Sequence, residues 1–411
     1  MQNAYTGDGL LPIEQAVQII KNTITPIANY HSCKLDNALD KIVSRDIESP
    51  INVPPFDNSA MDGYAIRFTD LAVNKQLLMV GKSFAGKPYL GTLGAGECVR
   101  IMTGAEIPEG ADTVVMQENT QADKQTITFT HGVSQGEAIR KAGGDIRQGE
   151  VVLTKGSRMS AINIGLVASL GFDHIPVLDS LKVAVFSTGD ELLTAGEKAV
   201  KGKIYDTNRP MLVAMLKRIG ADVIDMGIIP DNKEKIKAAF ETADKVAHCV
   251  ITSGGVSVGE ADFTREVLEE FASIDFWKLA IKPGKPLAFG RLTKSVFFGL
   301  PGNPVSAAVT FDKIVAPALA LLSGSLLHKP FQASAKATTR FRKRPGRTDY
   351  QRAIYSHSPS GELLVCVSGT QSSGVLSSFS RSNCYAVLES DRGNVDVGEQ
   401  VLIEPFDKVI N

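Results

Sequence analysis

Leu181-Lys-Val-Ala-Val-Phe-Ser-Thr-Gly-Asp-Glu-Leu192 decides the fold. The apolar run 181–186 reads as a buried strand, and beyond it a glycine stands beside two adjacent carboxylates. The alternation then repeats: a helix is expected over 209–219, a strand over 223–228, a helix over 233–246, a strand over 249–252, then a glycine-rich loop and a helix over 263–271. Strands alternating with helices imply right-handed crossovers and a three-layer α/β domain on a parallel sheet. Local punctuation agrees. Pro210 suits a first helical turn, Gly220 a helix end, and Asp231 with Glu234 a capping box. An apolar helix over 305–323 closes the unit.

Upstream, Ile13, Ala16, Val17 and Ile20, then Leu35, Leu39 and Ile42, recur at helical spacing and predict two opening helices. From about residue 46 the pattern shifts to short β-type runs, 77–80, 99–102, 113–116 and 126–130, divided by Gly and Pro. A helix returns between Gly156 and Gly171. After residue 327 only short alternating runs remain, 363–367, 385–388 and 401–404, which suit a small β-barrel or sandwich.

With 411 residues, 43% apolar and 22% charged, the chain can bury more than one core. A formal net charge of -1 excludes a global pull toward nucleic acid or an anionic membrane. Any anion must therefore meet a local site. The five cysteines are scattered and show no Cys-x-x-Cys pair, and the six histidines no His-Glu-x-x-His, so a reduced compartment is expected and a zinc hydrolase is not. The first residues carry no basic segment followed by an apolar one, and the apolar stretch 314–322 is short and broken by Pro317. A cytoplasmic protein without a membrane span is expected.

In a parallel sheet, ligands lie beyond the carboxyl ends of strands. Four segments fall there or beside it. Ser187, Gly189, Asp190 and Glu191 offer a flexible turn and carboxylates that suit Mg²⁺ against a phosphate, and Asp190 would equally serve as a helix cap. Thr252-Ser-Gly-Gly-Val-Ser-Val-Gly259, with Gly254, Gly255, Ser257, Glu260 and Asp262, suits a phosphate cradle or a plain tight turn, and matches neither a P-loop nor a dinucleotide fingerprint. Lys282-Pro-Gly-Lys-Pro286 fixes two lysines for a tetrahedral oxyanion, or is a solvated turn. Gly299-Leu-Pro-Gly-Asn-Pro-Val-Ser306 lets Asn303 cap a helix whose amino end welcomes an anion. In the amino-terminal module, Pro54–Ala65 gathers Asp57, Asn58, Ser59 and Asp62, with Arg100–Gly104 and Arg140–Asp145 adding hydroxyl, cation and carboxylate groups.

Taken in order, Pro54–Ala65, Ile101–Ala105, Ser187–Leu192, Ser253–Gly259, Lys282–Pro286 and Gly299–Ser306 resemble the MoeA-type molybdopterin molybdenumtransferases, related to the E domain of gephyrin. The resemblance spans essentially the whole chain. It implies four domains: an elongated helical and β linker domain (1–45 and 146–178), a mixed mostly-β inserted domain (46–145), a MogA-like α/β molybdopterin-binding domain (179–326) and a C-terminal β-barrel (327–411). It further implies a homodimer in which Asp62, Thr103, Arg140 and Asp145 of one subunit face Glu191, Asp231, Asp262, Lys278, Lys282, Pro301 and Pro304 of the other.

The implied reaction inserts molybdenum from molybdate into adenylylated molybdopterin and releases AMP. Glu191, Asp231 and Asp262 are then candidates for Mg²⁺ and water, while Lys282, Lys285 and Arg347 stabilise oxyanions and Asn303, Pro304 and Ser306 help hold the pterin. An upstream pterin adenylyltransferase and recipient molybdoenzymes are the implied partners. Two other readings stand beside this one: a molybdopterin adenylyltransferase, and a non-catalytic gephyrin-like scaffold.

Overall fold

The computed structural model describes residues 9–255, 263–327, 329–407 and 409–410. Its contacts divide the chain into two compact units, one of residues 1–31, 40–44 and 177–411, the other of residues 32–39 and 45–176.

The first unit is built on β1 (Lys182–Thr188), α1 (Asn208–Arg218), β2 (Asp222–Ile229), α2 (Lys233–Val246), β3 (Cys249–Ser253) and α3 (Phe263–Phe271). Next come β4 (Ser273–Lys278), β5 (Pro286–Arg291) and β6 (Val296–Leu300). Among the described residues the sheet order is β2-β1-β3-β6-β5-β4. β1 pairs in parallel with β2 and β3, and β3 with β6, as the crossover pattern predicts. The expectation of an all-parallel sheet is corrected at one edge, where β5 and β4 run antiparallel. Short links, Leu292–Ser295 and residues 279–285, leave no room for the helix that a parallel crossover needs.

Successive residues of β1 enter opposite cores. Val183 and Val185 join Leu212, Ile251 and Phe298, whereas Ala184 and Phe186 join Phe240, Val250 and Phe297. On that second face the rings of Phe186, Phe240 and Phe297 meet edge to face at 5.1 and 5.4 Å. The opening helix Ile13–Thr23 buries Ala16 and Ile20 in the first core. The second expected helix is absent: residues 30–37 form a strand followed by a 3₁₀ turn.

Two expected caps also differ. α2 is capped by Asn232, whose side chain accepts the Lys235 amide at 2.9 Å, so Asp231 is released for another partner. Asn303 occupies the cap position of the helix that starts at Pro304, without a side-chain cap bond. That helix runs from Pro304 to Leu322, interrupted by a π turn at Phe311–Val315. Its length and mean hydropathy of 1.7 would let it cross a membrane, but 72% of it is buried inside the fold, which makes it a core helix.

The carboxyl-terminal strands Ala333–Ala337, Thr348–His357, Leu363–Val367, Cys384–Leu388 and Gln400–Pro405 close into a barrel, not a sandwich. Closure comes from strand 348–357, which pairs with 363–367 on one side and 384–388 on the other. Ile281–Lys282 adds to the same strand in parallel.

In the second unit, among the described residues, strands 113–116, 63–66, 97–101, 76–83, 126–129 and 120–123 lie in that order in one sheet, with one parallel pairing between 76–83 and 97–101. The helix expected after Gly156 spans Ala161–Ser169, capped by Ser160.

The described cysteines are all free. Burial pushes the Cys98 and Cys384 thiols up to about 12, which leaves them inert as nucleophiles.

Phe240→Ala should lower stability of the first unit by about 3–5 kcal/mol, because it empties the centre of the aromatic row. Val73→Ala, at a side chain 90% exposed, should change stability by less than about 0.5 kcal/mol. Denaturant titration followed by circular dichroism checks both.

Candidate active site

β1 leads by a helix to β2 on one side, and the chain then returns to β3 on the other, so the strand order reverses beside β1. A crevice belongs at that switch point. Thr188 and Gly254 meet there so closely that a β-carbon on Gly254 would stand 2.7 Å from the Thr188 carbonyl oxygen. One on Gly255 would stand 2.2 Å from the Thr264 hydroxyl. Both glycines have positive φ, 92° and 62°, so the Thr252-Ser-Gly-Gly turn requires them. The Gly254 amide also donates to the Leu300 carbonyl at 3.3 Å, which gathers the ends of β1, β3 and β6.

Asn208, at the start of α1, crosses this crevice. Its Nδ2 donates to Ser253 Oγ at 2.7 Å and to the Gly302 carbonyl at 2.8 Å. Its Oδ1, together with the Thr188 and Thr252 hydroxyls, is buried without a hydrogen-bond partner among the described residues. Unmet buried polar atoms cost about 1–3 kcal/mol each, and these stand on both faces of the strand ends: Thr188 and Thr252 follow Phe186 and Val250 toward the second core, whereas Asn208 reaches Ser253 on the face of the first.

Ser187 lies at the end of β1. It is buried and donates its hydroxyl to Asp206 at 3.1 Å; Asp206 in turn accepts from Arg209 Nε at 3.0 Å. Asp206, Asn208 and Arg209 were not anticipated as site residues. The signal was present in Tyr205-Asp-Thr-Asn-Arg-Pro210, where short polar groups precede a proline-bearing helix start.

The carboxylates gather at the rim. Asp190 Oδ1 accepts the Asp231 amide at 3.2 Å, and Asp231 Oδ2 accepts the Asp190 amide at 3.3 Å. This reciprocal pair replaces the expected helix cap. The Glu191 carboxylate lies over Gly189, 2.4 Å from where a β-carbon would stand. Ser257, Glu260 and Asp262 lie outside the described residues. Among the described residues, no group of three or more His, Cys, Asp or Glu forms a metal cage.

The lysine segment is not a solvated turn. Ile281–Lys282 is hydrogen-bonded to Thr348–Asp349, and Lys282 Nζ meets the buried Asp349 carboxylate at 2.9 Å. Arg347 immediately precedes that register, next to Thr348, whose amide donates to the Ala280 carbonyl at 2.9 Å. Lys285 is exposed, whereas Lys278 is half-buried at the end of β4. Pro301 is buried, Ser306 lies within the helix that follows, and the Val305 amide donates to the Ser373 carbonyl at 3.1 Å.

In the second unit, the segments holding Asp62, Thr103, Arg140 and Asp145 are joined by backbone bonds. Gly104 donates to Ser59, Asp145 to Val53, and Arg140 lies opposite Asn58 in a short antiparallel pair. Asp62 Oδ1 accepts both the Thr103 amide at 2.8 Å and its hydroxyl at 2.9 Å. These two bonds, with the Arg100 charge as a lesser cause, hold the Asp62 carboxyl below the usual range. Lys141, at 2.8 Å, and the Ala142 amide do the same for Asp57. Arg140 and Asp145 are exposed.

Three family profiles match the chain: the MoeA N-terminal region (domains I and II) over residues 11–171, a probable molybdopterin-binding domain over 184–321, and the MoeA C-terminal region (domain IV) over 334–406. The molybdopterin molybdenumtransferase of Haemophilus influenzae is 48% identical over 92% of this chain and 94% of its own length. Gephyrin of Dictyostelium discoideum is 33% identical over 95% of this chain and 62% of its own. The crystal structure of the molybdopterin biosynthesis MoeA protein from Pyrococcus horikoshii OT3 superposes with a TM-score of 0.85 at 28% identity, over 97% of this chain and all of that one.

Thr103→Val removes one of the two Asp62 donors and leaves the other. Asp62 should then titrate at higher pH, toward the ordinary value of about 4, by carboxyl-carbon NMR. Because the native carboxyl is depressed, the stabilisation exists at neutral pH and fades as pH falls through its folded pKa. An unmoved midpoint would refute this account.

Proposed function

This chain belongs to the MoeA family of molybdopterin molybdenumtransferases, and from that premise we propose that it inserts molybdenum from molybdate into adenylylated molybdopterin, with release of AMP. The observation that carries this reading is the tight glycine turn at the ends of β1, β3 and β6, with unmet polar atoms, among the described residues, of Thr188 and Thr252 on one face of the sheet and of Asn208 on the other. The crevice there suits a polar pterin with its phosphates against the turn.

The residues divide the work by charge. Lys282, steered by Asp349, with Lys285 and Arg347, would hold the tetrahedral oxyanion, because fixed cations favour developing negative charge without reorganising. Asn303, Pro304 and Ser306 would border the pterin at the helix start. On the carboxylate side, Asp190 and Asp231 each commit one oxygen to the other's amide and keep another free. That donor set fits Mg²⁺, which takes one or two carboxylates plus substrate phosphates and needs no protein cage. Asp231 belongs to that set, and Glu191, whose carboxylate lies over Gly189, and Asp262 are the further carboxylates from which we draw its ligands. When bound, the ion offsets phosphate charge.

Within this proposal the protein is a cytoplasmic homodimer in which Asp62, Thr103, Arg140 and Asp145 act on the crevice of the other copy. The four-domain division at residues 45/46, 145/146, 178/179 and 326/327 belongs to the same reading. The pterin adenylyltransferase upstream supplies the substrate, and molybdoenzymes receive the product.

Asp62→Ala and Glu191→Gln should each lower molybdate-dependent AMP release by about 100-fold while the fold persists. Full activity in both would leave a scaffold, and ATP turnover with pterin but without molybdate would leave an adenylyltransferase. Mixing the two inactive variants under subunit exchange should restore roughly a quarter of wild-type activity, since random pairing gives hybrid dimers with one intact site. No recovery, with exchange verified, would sink the shared-site arrangement.

A further inference from the structure

The amino ends of the same strands carry a second cavity. It has a volume of about 330 Å³ and is lined by Thr23, Thr25, residues 27–29, His248, the link 291–296 and Leu322. His248 immediately precedes β3, and Val296 opens β6. The crevice described above lies at the opposite ends of these strands, roughly 17 Å away for five residues.

Its lining is chemically one-sided. It includes Arg291, Lys294 and His248, and no Asp or Glu. Ile27, Leu292, Val296 and Leu322 supply an apolar wall. A volume near the lower end of the ligand-cavity range, with a cationic rim and an apolar wall, suits a small organic anion.

The rim is built into the fold. Arg291 Nη2 donates to the Thr23 carbonyl at 2.5 Å, which fixes the guanidinium beside that segment, with Asp275, which accepts from the Thr23 hydroxyl, as its acidic neighbour. The turn bearing Lys294 is locked by Asp244, whose Oδ1 accepts the Lys294 amide at 2.9 Å and the Ser295 amide and hydroxyl at 2.8 Å each. Asp244 therefore commits Oδ1 to the turn. His248 Nδ1 accepts the Lys182 amide at 3.0 Å, which places the proton of the neutral ring on Nε2 and makes that atom a donor. The Ile27 amide donates to the Leu322 carbonyl at 2.9 Å and seats the remaining wall.

We propose that this cavity is a second binding site, for a small organic anion with an apolar body and a phosphate or carboxylate head, separate from the crevice at the carboxyl ends of the strands. The head meets Arg291, Lys294 and His248, and the body lies against Ile27, Leu292 and Leu322.

Calorimetric titration of the full chain with phenyl phosphate, benzoate and inorganic phosphate tests this, alongside crystals soaked in phenyl phosphate. Density in the cavity is expected. The preferred head is the one of phenyl phosphate and benzoate that binds more tightly, and inorganic phosphate should bind at least about tenfold more weakly than that probe, lacking the apolar body. Arg291→Ala and Lys294→Glu, both at exposed positions, should each weaken the organic probe by about tenfold. Density only at the carboxyl ends of the strands, binding that neither variant changes, or no binding at all would overturn the proposal. Equal binding of inorganic phosphate would overturn the role of the apolar wall.

Discussion

The parallel register of β1 between β2 and β3 is the constraint on which the rest of the first unit depends. Successive side chains of β1 enter different cores, so the strand cannot slip by one residue without exchanging Val185 for Phe186. The register that satisfies both cores also sets Ser187 against Ser253, and β3 sets Ser253 against Leu300. The three strands thus end at one level. Only then can Gly254 reach the Leu300 carbonyl while lying against Thr188, and only then can Asn208 span from Ser253 to Gly302.

A second layer of constraint comes from the barrel. Lys282 is held on its flank by a strand pairing and by Asp349, a carboxylate that is 3% exposed and also accepts from Gln351 at 3.0 Å. A lysine steered by a buried partner loses less freedom on meeting an anion than one on a free turn. The helix 304–322 buries Lys313 between Asp312, at 2.8 Å, and Glu404 of the barrel, with the Tyr385 ring 4.6 Å from its ammonium. Removing Lys313 would leave two carboxylates uncompensated in the interior, so the contact between barrel and helix is specific as well as apolar.

The α/β order was legible because its signals are local: apolar runs of strand length, helical periodicity, and Pro210 and Gly220 as punctuation. The antiparallel edge was not, since β4 and β5 differ from crossover strands only in the shortness of the links around them. Residues 30–37 misled because Leu35 and Leu39 have helical spacing, yet only three residues complete a turn before the chain leaves it. The Gly254–Gly255 turn was visible as composition. Asn208 was not singled out, because its importance lies in acceptors from residues 253 and 302, far away in sequence.

The geometry also limits what Asp62 can do chemically. An effective general base has a pKa near the working pH, and Asp62 is displaced in the other direction by the Thr103 amide and hydroxyl. It remains ionised at neutral pH and holds protons poorly. Both donors converge on Oδ1, which leaves Oδ2 as the oxygen free to meet another group. A fixed anion with one free oxygen orients a donor or a cation, and proton transfer is then left to groups whose charge is less firmly held. Asp57, bound by Lys141 and the Ala142 amide, is restrained in the same way. The carboxylates of this cluster are therefore suited to positioning and electrostatic stabilisation, the kind of work that a transfer between oxyanions most requires.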